Sequence, residues 1–147
     1  MIKFKAMNRQ RFAVLIVAII GIVATFLPWY RIVEIGTISG LSSSGWFTVL
    51  MFIVTIILAV RKNLREDMTM GISWCVTICS LLASFVVLWK IIDIYFAKEG
   101  MFSLGGNMYG ILGSEVKVVY GAWLVVIAGI CVPLAAFIFR DRTFRRV

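Results

Sequence analysis

The sequence predicts an all-α membrane protein: a bundle of four transmembrane helices, both termini cytoplasmic, with a small extracytoplasmic cap whose segments suit short β-strands. Three observations carry this expectation. Hydrophobic residues make up 62% of the chain and charged residues 15%, against roughly 45–50% and 25% in soluble domains; a soluble chain of 147 residues has no interior large enough for that apolar surface. The apolar residues gather in four runs, giving spans at about residues 12–30, 44–60, 68–96 and 118–139, with outer loops 31–43 and 97–117, all in one domain, 1–147. The cations alternate between connections. Eleven of the 15 Lys/Arg precede the first run, separate the second from the third, or follow the fourth, while Arg31, Lys90, Lys98 and Lys117 occupy the other two connections. With eleven cations against three acids on one side and four against four on the other, the arrangement follows the positive-inside rule. The net charge of +8 is therefore a record of topology, with attraction to anionic lipid as a secondary effect, and nucleic acid is not an expected partner.

The first run, FAVLIVAIIGIVATFLPWY, follows a basic start, as a secretory signal does. It is long, however, and ends in bulky aromatic residues with no small-x-small cleavage site, so it reads as a retained anchor. Pro28 lies near its outer end, where a kink or stop is tolerated, and Trp29 and Tyr30 stand where an aromatic belt belongs. Next, RIVEIGTIS alternates like a strand and GLSSSG has turn chemistry. The second run, WFTVLMFIVTIILAV, is bulky and β-branched throughout, which fits a large lipid-facing surface. RKNLRED is a tight turn, so the second and third spans are expected to be antiparallel neighbours.

The third run organises the chain. Residues 68–89 are 22 consecutive uncharged residues, about 33 Å as a helix and enough for a ~30 Å hydrocarbon layer. Gly71, Cys75, Cys79 and Ala83 form one ladder at spacing four; Ser73, Thr77, Ser80 and Ser84 form a second. Helices in lipid associate through close approach and hydrogen bonds, so both ladders are expected to face neighbouring helices, leaving Trp74, Ile78, Leu81, Phe85 and Leu88 to lipid. Beyond it, residues 97–118 hold five glycines; MFSL and SEVKVVY within it suit short strands able to pair with RIVEIGTIS. The fourth run has close-approach points at Gly121, Ala122, Ala128 and Gly129, and Pro133 is expected to kink it.

The sharpest candidate site is the outer charged cluster Arg31, Glu34, Lys90 and Asp93. Such residues either line a vestibule or bind a partner, or act as interfacial anchors whose side chains reach water; Lys90, one residue beyond the apolar run, favours anchoring. Trp29, Tyr30, Trp46, Trp89 and Trp123 are the expected aromatic anchors. The segment YRIVEI (30–35) also matches WKIIDI (89–94) by residue class at every position, the trace a duplicated helical hairpin would leave.

There is no histidine, which removes the commonest general base and metal ligand. The glycine-rich loop lacks the G-K-[ST] of a phosphate cradle, the serines of the third span have no base beside them, and Cys75, Cys79 and Cys131 lie inside apolar runs without a C-x-x-C. No cofactor, no metal and no enzymatic activity are expected.

A first span ending FLPW (26–29), an outer loop with Ser39-Gly40 and Gly45-Trp46, and a last span opening YGAWL (120–124) resemble small bacterial four-helix integral membrane proteins, many without an assigned role. The architecture is also loosely similar to claudin-type tetraspans, although the paired outer cysteines and the G-L-W signature are absent, so no functional residue is carried over. The resemblance implies a multi-pass protein of the plasma (inner) membrane. The expected function is protein–protein interaction, as an accessory, sensor or immunity-type subunit with a protein partner or as a homo-oligomer. The alternative is a small oligomeric channel or transporter with a charged outer vestibule, although no acid lies near the middle of any span.

Overall fold

A computed structural model describes residues 7–32, 36–42, 44–61, 66–98 and 116–140. Four helices, α1 (Arg9–Phe26), α2 (Gly45–Val60), α3 (Met70–Lys98) and α4 (Tyr120–Ile138), form a ring in which α1 packs on α2 and α4, and α3 packs on the same two. α1, α3 and α4 are long and apolar enough to cross a membrane. α2 has 16 residues, about 24 Å, and is an apolar helix below that length. Large apolar side chains stand exposed on all four helices, among them Ile20, Ile57, Phe85 and Ile130. The interior mixes apolar side chains such as Val14, Phe52 and Val76 with small and hydroxyl-bearing ones such as Ala18, Ala83, Thr48 and Ser80. An apolar outer surface around an interior that holds small and hydroxyl-bearing residues is what lipid as solvent demands.

The end of the first span differs from the expected helix to residue 30. α1 stops at Phe26, and its C-cap Leu27 is extended (φ −71°, ψ 160°), because the ring of Pro28 disfavours helical backbone in the residue before it. The chain continues as strand β1 (Pro28–Ile32). RIVEIGTIS is therefore not one strand: β1 takes its first residues and β2 (Gly36–Ser39) its last. Gly36, with φ +99°, opens β2 in backbone that L side chains avoid. A third strand, β3 (Val116–Val118), completes an antiparallel sheet in the order β2-β1-β3. The segment MFSL lies outside the described residues. The supposed echo also divides: residues 30–32 are strand, whereas 89–94 are helix.

The sheet joins the bundle through one crowded corner. Trp29 is fully buried, its indole N–H donating to the Ala24 carbonyl at 3.2 Å. A Cβ on Gly40 would strike the Trp29 ring and the Thr25 carbonyl, and one on Gly45 would strike the Gly40 backbone. Gly40→Ala is accordingly expected to destabilise the protein by about 1–3 kcal/mol, the range for overpacking, seen as a lower melting temperature in detergent; an unchanged melt would mean that the corner is slack.

Candidate functional site

The pleat gives the sheet two unlike faces. On one, Ile38, Tyr30 and Val118 are cross-strand neighbours, and all three join the apolar core. On the other, Thr37, Arg31 and Lys117 are cross-strand neighbours, and all three are exposed. Two cations thus stand directly opposite each other on adjacent strands, an arrangement that disfavours the sheet.

Of the charged cluster expected from the sequence, Arg31 belongs to this row. Its strand rests on α4, whereas Lys90 and Asp93 lie on α3, Lys90 half-buried and Asp93 buried. Glu34 lies outside the described residues. Lys90 stands 20 rises from the start of α3, about 30 Å, the thickness of a hydrocarbon layer.

The two ladders on α3 part company. Ser73, Thr77, Ser80 and Ser84 are all buried, whereas Gly71 and Cys75 are exposed, Cys79 is partly buried and Ala83 is fully buried. The reason is geometric. Each step of four residues advances roughly 40° around a helix of 3.6 residues per turn, so three such steps swing through roughly 120°. Mixed spacings of four, three and four hold one face. Two of the four hydroxyls return to their own helix: Thr77 donates to Ser73 O at 2.8 Å and Ser80 to Thr77 O at 3.0 Å. Ser84 crosses to the Val126 carbonyl of α4 at 3.1 Å, and Thr25 and Thr48 meet between α1 and α2 at 3.3 Å. The three cysteines are free thiols.

Among the aromatic positions, Trp46, Trp89 and Trp123 are 61%, 47% and 44% exposed, whereas Trp29 and Tyr30 are buried inside the protein. Because the chain turns into a sheet at Pro28, these two side chains fold back over the bundle rather than outward from a helix end.

At the end of the bundle opposite the sheet, the structure assembles a polar clasp that sequence reading missed. Asn8 caps α1, its Oδ1 accepting from the Gln10 N–H at 2.9 Å, while its Nδ2 donates to Asp67 at 2.7 Å. Gln10 is fully buried and ties α1 to the segment entering α3 and to α4: its Oε1 accepts from the Met68 N–H at 2.9 Å, and its Nε2 donates to the Ala136 carbonyl. Only one orientation of the amide allows both. Arg11, 2% exposed, donates from Nε to Glu66 O at 2.7 Å and from Nη1 to Ala59 O at 2.7 Å and Arg61 O at 2.9 Å. Ala59 and Ala136 are in the last turns of α2 and α4, where carbonyls lack helical donors. The signals present in the sequence are an Asn just ahead of an apolar run, an N-cap, and polar side chains within reach of helix ends. Comparison with protein families, curated proteins and solved structures gives no match to this chain.

Proposed function

We propose that the protein is a non-enzymatic, four-span protein of the plasma (inner) membrane, N-in and C-in, that acts by binding another protein through the outward face of its sheet. The observation that carries this reading is the exposed row Thr37–Arg31–Lys117. Neighbouring cations on an exposed sheet face repel, and an acidic partner surface relieves that repulsion while steering encounter. The interior of the bundle speaks against conduction through a single copy: Val14, Phe52, Val76, Val87 and Val125 from its four helices are fully buried.

A photoactivatable crosslinking residue in place of Thr37, introduced in intact cells, is expected to yield discrete protein adducts. Arg31→Glu together with Lys117→Glu is expected to reduce them about tenfold, equivalent to about 1.4 kcal/mol. Absence of adducts at this position, alongside selective ion flux in liposomes holding the purified protein, would overturn the proposal in favour of a channel.

A further inference from the structure

Two arginines two residues apart on α1 meet opposite fates. Arg11 is buried and engaged by three carbonyls. Arg9 is exposed and has no hydrogen-bond or ion-pair partner among the described residues. It stands at the mouth of a groove of about 560 Å³ between α1 and α4. The floor of the groove is made by small residues, Ala13 and Ala135, and its rims by bulky ones such as Phe12, Ile16, Leu134 and Ile138. Among the lining residues, Arg9 alone is charged.

We infer that this groove seats an anionic phospholipid, with one acyl chain along the α1–α4 furrow and its phosphate at Arg9. Length and charge both point there. α1 has 18 residues, about 27 Å, so its first residue, Arg9, lies at the edge of a ~30 Å hydrocarbon layer, where headgroups begin. From Arg9 to Val17 the groove descends eight helical rises, about 12 Å, close to the ~15 Å depth of one leaflet's hydrocarbon. A second transmembrane helix seated here would press on a guanidinium that has no partner among the described residues, unless it brought an acid to that depth. A phospholipid brings a phosphate to that depth by construction, an anionic one brings it without a headgroup cation of its own to compete with Arg9, and cationic side chains between membrane helices bind such headgroups.

Cys131 lines the same groove and provides the probe. In a Cys75→Ser, Cys79→Ser background, a bimane fluorophore on Cys131 is followed in vesicles of phosphatidylcholine and phosphatidylglycerol with bromine on the chains of one or the other. Brominated phosphatidylglycerol is expected to quench at a mole fraction about fivefold lower than brominated phosphatidylcholine, the preference one surface cation gives. Arg9→Gln is expected to abolish the difference, and a probe on Ile57→Cys with Cys131→Ser added, on the exposed face of α2, is expected to show none. Equal quenching by both lipids at Cys131, or a preference surviving Arg9→Gln, overturns the inference. So does a Cys131 probe that neither lipid quenches, which would mean that protein covers the groove. Because a fluorophore occupies space in the furrow, native mass spectrometry of the unlabelled protein gives an independent reading. Retained phosphatidylglycerol that is lost on Arg9→Gln supports the site, and unchanged retention refutes it.

Discussion

Arg11→Ala is expected to destabilise the protein by about 3 kcal/mol or more. Hydrogen bonds from a charged donor contribute about 1.5–3 kcal/mol each, and buried acceptors left unpaired cost about 1–3 kcal/mol each. Arg11 serves three carbonyls from α2 and the segment that follows it, and Asp67 and Glu66 add opposite charge nearby. The three contributions share one side chain and are not additive, so the total falls short of their sum. The informative variant is Arg11→Lys. If Arg11 acts only as a positive charge beside an apolar run, lysine keeps that charge and the melting temperature in detergent stays put. If the planar fork is what joins the carbonyls, an ammonium reaches fewer of them, and lysine should fall between wild type and alanine. Arg9→Ala, which removes the same charge from an exposed position two residues away, is expected to lower the melt by much less than Arg11→Ala.

These two arginines also show where sequence reading stops. Both are cations ahead of an apolar run, and charge alone cannot separate them. What separates them is distance along the chain: Arg11 reaches Ala59, 48 residues on, and Gln10 reaches Ala136, 126 residues on. Neither contact leaves a local pattern. The apolar runs, by contrast, were legible because length and hydropathy are local, and the helix limits fall within a few residues of those expected, apart from Pro28 onward. The cap was half legible. Alternation in RIVEIGTIS signalled strand, but the division into β1 and β2 depends on Gly36, and the start of β1 on the backbone bias that Pro28 imposes on Leu27. On α3 the two ladders looked equivalent by composition; the rotation of a strict four-residue spacing distinguishes them.

That distinction predicts opposite outcomes for the same substitution at two glycines. Alanine is a better helix former than glycine by up to about 1 kcal/mol, so where space is open the change should stabilise. Gly71, in the first turn of α3, has nothing within 4 Å of an added Cβ, and Gly71→Ala is expected to raise stability by a fraction of that amount. Gly129 faces the α3–α4 crossing, where an added Cβ would collide with the Ser84 hydroxyl and lie 2.7 Å from the Ser80 carbonyl. The hydroxyl can turn away, at the loss of its bond to Val126, but the carbonyl belongs to the α3 backbone and moves only with the helix. Gly129→Ala is therefore expected to cost about 1–3 kcal/mol net, and Gly129→Leu to prevent α3 and α4 from packing. Denaturant titration of the purified protein measures both. Adding Ser84→Gly to Gly129→Ala separates the two collisions. Partial rescue places the remaining penalty on the Ser80 carbonyl, whereas full rescue would mean that side-chain contact alone sets the separation of α3 and α4.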